Sequence, residues 1–180
     1  MNDTSLIPNS NNQGGFTLIE LLVTVSIAAI VLMLAVPSFQ AMLLNNRMTA
    51  QVDELTSALN YARNTALSQS VSVQVCPVGA VNSTICSTDW SLGWMVVSDP
   101  ANTSTLLQRK QQAPGGPVIR SAANVFFDAR GLSTTQSNFT ICDSRGTSFS
   151  RSVQVVSTGF VQAGDTVGTA VWGMPALSCP

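Results

Sequence analysis

The tract from Phe16 to Val36, FTLIELLVTVSIAAIVLMLAV, constrains this chain more than any other feature. Its 21 residues carry a single charge, Glu20. As a helix rising about 1.5 Å per residue it spans about 30 Å, the thickness of a bilayer core. The preceding segment, MNDTSLIPNSNNQGG, is polar, with one acid (Asp3) and no base. A secretory signal peptide runs basic, then apolar, then small at the cleavage point. Here the small pair Gly14-Gly15 comes first, so cleavage at that junction would leave the apolar tract on the mature chain. A carboxylate at mid-membrane costs about 2.5–3.5 kcal/mol on insertion scales, and less near the edge. Glu20 therefore either snorkels to the interface from the helix end or meets a cation on a neighbour.

Composition narrows the function classes. Only 9% of residues are charged and 45% are hydrophobic, whereas a soluble domain averages about 25% charged. That shortage fits a membrane segment, an assembly protein, or both. Eight basic and nine acidic side chains exert no global pull on nucleic acid or anionic lipid. Histidine is absent, which removes the commonest general base and zinc ligand. No G-x-S-x-G, P-loop or G-x-G-x-x-G occurs, and Asp128 and Asp143 read as turn residues rather than a catalytic pair. We therefore expect no enzyme, no cofactor and no metal. The N-x-[ST] triplets at Asn82, Asn102 and Asn138 are the kind that Ser/Thr-rich loops generate by chance.

Pro37 removes one helical hydrogen bond and predicts a kink or local melt. Beyond it, Leu44, Met48, Val52, Leu55, Leu59, Ala62 and Ala66 step by three and four along one helical face. The helix is thus expected from Phe16 to about Ser68, about 80 Å long, with that stripe against a globular head. After Ser70 the pattern turns to strand. Val71–Val75 alternates strictly. Further strand candidates are Gly93–Ser98, Leu106–Lys110, Asn124–Phe127, Asn138–Cys142, Ser152–Ser157 and Val167–Trp172. Turn signals separate them at Asp99-Pro100, Pro114-Gly115-Gly116-Pro117, Arg130-Gly131 and Ala163-Gly164-Asp165. Short strands so spaced predict an antiparallel sheet.

The four cysteines, Cys76, Cys86, Cys142 and Cys179, form no C-x-x-C, and an even count on a translocated head predicts two disulfides. Three pairings are open. Cys76–Cys86 would close a strand-edge loop and Cys142–Cys179 would tie the C-terminal tail to a strand; this is the pairing we expect. Chain entropy assigns roughly 3 kcal/mol to the first loop and roughly 4 to the second.

The run Gly15-Phe16-Thr17-Leu18-Ile19-Glu20-Leu21-Leu22 resembles the processing and assembly signature of type IV pilins and type II secretion pseudopilins. The resemblance implies cleavage after Gly15 by a prepilin peptidase and N-methylation of Phe16. It also implies that Glu20 meets the Phe16 amine of an adjacent subunit; an α-amine has a pKa of about 8 and is cationic at neutral pH. In one respect the chain departs from the pattern: such leaders carry Lys or Arg close to the cleavage point, where this one has Gln13-Gly14. Further on come Val75-Cys76-Pro77, Trp90-x-x-Gly93-Trp94, Val125-Phe126-Phe127-Asp128-x-x-Gly131, Phe139-x-x-Cys142, Arg151-x-Val153 and Ser157-Thr158-Gly159. This order is similar to the GspH/FimT family of minor pilins and pseudopilins. The aromatic positions read as core anchors.

Residues 101–180 hold Arg109, Lys110, Arg120, Arg130, Arg145 and Arg151 against three acids, a local excess of +3. Some FimT-type members are linked to DNA uptake through a basic Gly-Arg-x-Arg element. Gly159-Phe160-Val161-Gln162 stands in that place and has neither arginine. Arg145 and Arg151 remain as weak DNA-contact candidates, able to act together only if the connection between them folds back as a hairpin.

The expected organisation is α+β: a leader over 1–15, a transmembrane or filament-core half-helix over 16–36, an amphipathic half-helix over 37–69 and a β-rich periplasmic head over 70–180. The resemblance implies a structural minor pilin that primes a type IV pilus and sits at or near its tip. Its partners would be other minor pilins, the major pilin, the prepilin peptidase and the inner membrane. The alternatives are a type II secretion pseudopilin at the pseudopilus tip and a DNA-binding competence pilin.

Overall fold

A computed structural model describes residues 15–79, 84–101, 104–121, 123–171 and 177–179. The leader up to Gly14, Asn82, Asn102 and Trp172 lie outside them. The chain divides into two compact units, Met1–Met42 and Leu43–Pro180.

Helix α1 runs from Leu18 to Gln69. Its start is set by a capping-box pattern, Thr17-x-x-Glu20: the Thr17 hydroxyl accepts the Glu20 backbone N–H at 3.2 Å, satisfying a donor that the first turn leaves orphaned. The chain stays helical through Pro37, so the predicted local melt is absent. Every described residue of the first unit is exposed, and α1 is long and apolar enough to cross a membrane.

In the second unit, α1 buries Met48, Val52, Leu55, Leu59, Ala62 and Ala66, the stripe read from the sequence, with Leu44 half-buried at its start. Gln51, Ala58 and Thr65 are buried too, so the contact face is wider than a strict three-four stripe. Leu55 and Leu59 are fully enclosed, and each such leucine contributes about 1.5–3 kcal/mol. The helix stops where Ser70 takes a φ of 53°, the left-handed turn that ends helices.

Eight strands follow: β1 Val73–Pro77, β2 Gly93–Ser98, β3 Thr105–Gln111, β4 Val118–Arg120, β5 Val125–Phe127, β6 Ser137–Cys142, β7 Arg151–Val155 and β8 Val161–Ala163. They form two antiparallel sheets, ordered β3-β2-β1-β5 and β4-β6-β7-β8. The long N-terminal helix packed on antiparallel sheets is the α+β class expected. Strand β1 is buried throughout because both its faces are covered. Val73 and Val75 join the main core with Trp90, Trp94, Phe127 and Phe139. Cys76 joins Val78, Met95, Val97 and Cys86 on the opposite face. Trp90 meets Phe139 edge-on, with ring centroids 4.9 Å apart, so these aromatics are core anchors as read.

Three segments differ from the reading. No strand forms over the described part of Val167–Trp172. Gly168 instead takes a φ of 73°, and its N–H bonds to the Ser150 carbonyl at 2.8 Å. Strands β4 and β8, three residues each, occupy segments where no strand was expected.

Candidate functional site

At the start of α1, Gly15, Phe16 and Glu20 are all exposed. Glu20 is the third helical residue, and its backbone is tied by the Thr17 cap. Among the described residues its carboxylate has no hydrogen-bond or ionic partner. The helix N-terminus favours a negative charge here by a few tenths of a kcal/mol to about 1 kcal/mol at an exposed site. In lipid a lone carboxylate needs a cation, and the described residues of this unit supply none beside it. The sequence reading missed the cap, although Thr-x-x-Glu before an apolar run announces it.

At the far end of α1, Arg63 locks the helix to two turns of the head. Its Nε donates to the Gly131 carbonyl at 3.1 Å and its Nη2 to the Thr158 carbonyl at 3.3 Å. Gly131 and Gly159 both adopt positive φ, 70° and 76°. A Cβ on Gly159 would lie 1.9 Å from the Gly131 carbonyl oxygen, and one on Gly131 would strike Leu67. The Gly131 turn is organised by Asp128, whose Oδ1 accepts the backbone N–H groups of Arg130 and Leu132, each at 2.9 Å. The Leu132 N–H first, and Arg130 with it, hold the Asp128 carboxyl below its ordinary range, against the opposing effect of burial. The Asp128-x-x-Gly131 and Ser157-Thr158-Gly159 elements are thus two sides of one joint. Arg63 is the member that sequence reasoning overlooked.

Arg145 lies in the connection between β6 and β7, which folds back as a hairpin, with Arg151 opening β7. Its guanidinium is already engaged. It makes two bonds to Asp143 Oδ2, at 2.9 and 2.6 Å, one to Asn45 Oδ1 on α1 at 2.8 Å, and lies 4.3 Å from the Phe149 ring centroid. The Arg145 and Asp143 side chains are 16% and 6% exposed. Arg145 therefore serves as an internal tie between the hairpin and α1. Arg151 is half-buried.

The disulfides are Cys76–Cys86 and Cys142–Cys179. The first joins Cys86 to β1 within the small cluster of Val78, Met95 and Val97. The second holds the tail against β6, where the Cys179 N–H also donates to Thr147 Oγ1 at 3.1 Å.

Two family models match this chain. Residues 51–159 match that of type II transport protein GspH, and residues 10–36 match the prokaryotic N-terminal methylation motif. The first match takes in α1 from Gln51 onward, both sheets as far as β7, and the Arg63–Gly131–Gly159 joint. No curated protein sequence matches significantly. In fold the chain is similar to two crystal structures of the type IV minor pilin FimU from Pseudomonas aeruginosa strain PAO1. The P65 form is 23% identical over 64% of this chain and 91% of that chain, with a TM-score of 0.51. The P21 form is 21% identical over 67% and 95%, with a TM-score of 0.50.

Proposed function

The chain belongs to the family of type II transport protein GspH, and from that membership we propose that it is a structural minor pilin of a type IV pilus, priming assembly and sitting at or near the tip. The observation that carries this reading is the presence in one chain of the methylation motif over 10–36 and the GspH match over 51–159. A prepilin peptidase cuts after Gly15, Phe16 is N-methylated, and the subunit waits in the inner membrane as a single-pass protein with a periplasmic head. The two disulfides support an oxidising compartment for that head.

Assembly follows from the unpartnered carboxylate. An incoming subunit offers the ammonium of Phe16, and Glu20 of its neighbour receives it. Each charge is costly alone in lipid, and the pairing offsets the cost for both, so the helix settles in one axial register. The exposed apolar residues of α1 then exchange lipid for neighbouring helices as a motor outside this chain extracts the subunit. The head contributes contacts with other minor pilins and the major pilin; its work is packing, not catalysis.

The family description favours one second reading, a pseudopilin of a type II secretion system. Direct DNA binding is less well supported, because Arg145 already has its partners within the head. The test of the assembly role is Glu20→Ala. The variant should stay abundant and membrane-inserted but crosslink poorly to other pilins; incorporation equal to wild type would refute the role of Glu20.

A further inference from the structure

Beside α1, the head carries two adjoining clefts of about 340 and 330 Å³ that share Arg47, Gly116 and Pro117 as a common wall. We propose that this double cleft receives a short acidic segment of a neighbouring subunit, one in which carboxylates alternate with apolar side chains. The proposal rests on the reading of the head as an assembly surface and names a place and a chemistry for one of its contacts.

The hydrogen-bonding groups around the double cleft are out of balance. Arg47 on α1 and Arg120 on β4 both line the larger cleft, and both are exposed. Neither guanidinium has an ion-pair or hydrogen-bond acceptor among the described residues. Arg120 acts on Asp89 only through space, behind the Ser91 hydrogen bonds that dominate that carboxyl. The acids in the walls are already engaged: Asp143 with Arg145 at 2.6 Å, and Glu54 with Lys110 at 2.9 Å. Gln51 lines the smaller cleft. It is 7% exposed, and its enclosed Nε2 has no hydrogen-bond partner among the described residues, so the wall offers no acceptor there. Donors are in surplus, and the missing chemistry is acceptor-rich and anionic.

The lining between the cations selects the kind of partner. Leu44, Pro117 and Val118 form an apolar floor, which suits a polypeptide with apolar side chains and leaves a phosphate backbone unserved. Nucleic-acid affinity at physiological salt needs many phosphate contacts, and two arginines supply few. The shared wall is also preformed. Gly115 takes a φ of 71°, the Gly116 N–H closes on the Ala113 carbonyl at 3.0 Å, and Gln112 Nε2 donates to the Pro117 carbonyl. A rigid wall reduces the ordering cost of binding.

The test uses the full chain in detergent micelles and three labelled probes read by fluorescence anisotropy at about 0.15 M salt: an octapeptide alternating Glu and Leu, its Gln and Leu counterpart, and a 20-base-pair duplex DNA. The Glu–Leu peptide should bind, the Gln–Leu peptide at least tenfold more weakly, and Arg47→Gln/Arg120→Gln should weaken the Glu–Leu peptide at least tenfold. The charge-reversed pair Arg47→Glu/Arg120→Glu should gain binding to a Lys–Leu octapeptide. Glu–Leu binding that ignores both pairs of changes, or equal binding of the uncharged peptide, overturns the proposal. Duplex binding that is tighter than peptide binding and lost in the double variant would replace it with a nucleic-acid surface. Failure here leaves the Glu20 crosslinking result untouched, and failure there leaves these titrations standing, so the two readings fall separately.

Discussion

Replacing Arg145 with alanine removes four interactions at once: two bonds to Asp143, one to Asn45 and the stacking on Phe149. The Asp143 side chain is only 6% exposed, so the variant leaves an enclosed carboxylate without its cation. Breaking a buried pair from one side costs about 3–5 kcal/mol. Arg145 keeps 16% exposure, and Asp143 Oδ1 still accepts the backbone N–H of residue 145, both of which reduce the loss. A figure of about 2–3 kcal/mol remains, a large part of the 5–15 kcal/mol that holds a typical domain together. For a head of this size 1 kcal/mol moves the melting temperature by about 4 °C, so thermal unfolding of the full chain in detergent should show a drop of about 10 °C. The double variant Asp143→Leu/Arg145→Met removes both charges and should cost only about 1 kcal/mol, since an apolar pair of similar volume replaces a buried ion pair nearly evenly. An Arg145→Ala variant within 2 °C of wild type, or a double variant as unstable as the single, would refute the reasoning.

Gly159→Ala should destabilise the head by about 2–4 kcal/mol, because the residue sits at a φ of 76° and its new Cβ would meet the Gly131 carbonyl at 1.9 Å; urea unfolding measures the shift, and an unchanged midpoint would contradict the joint. Asp128→Asn should be less stable than wild type at neutral pH, with the gap closing as pH falls. The depressed carboxyl contributes fully above its unfolded value near 3.9, and that contribution is lost as pH falls through its lower folded value. Unfolding curves for both proteins between pH 7 and 3 decide this, and a gap that holds constant to pH 3 would be the contrary result. Cys142→Ser/Cys179→Ser should cost up to about 4 kcal/mol in the chain-entropy account while leaving the Cys76–Cys86 peptide intact in non-reducing maps. A crossed disulfide in wild-type material would contradict the pairing.

The legibility of this chain follows the length of its patterns. The helix was readable because the stripe from Leu44 to Ala66 repeats over six turns, and β2 because Gly93–Ser98 runs apolar between clear turn residues. Strands β4 and β8 were not, because Val118–Arg120 and Val161–Ala163 are too short to show a period. They are strands through pairing with β6 and β7, partners the local sequence does not name. The segment from Val167 misled in the other direction: its apolar and small residues alternate, but Gly168 uses a backbone region closed to a strand. In the candidate site, Glu20 stood out as one charge in an apolar span, and the cysteines by their parity. The Arg63 joint was hidden, since its partners lie 68 and 95 residues away in sequence, and a lone arginine on a helix reads as solvated. Arg145 was weighed as a phosphate contact for the same reason: nothing in the sequence announces Asn45 as its partner 100 residues back.

The central claim is that this chain is cut after Gly15 and built into a filament by way of the new terminus. Filaments sheared from cells and analysed by mass spectrometry of their N-terminal peptides test it most directly. The account predicts a peptide that begins at Phe16 with a methylated amine and contains Glu20 unmodified. A chain that carries Met1 in the filament, or is absent from filaments while abundant in the membrane, would contradict it.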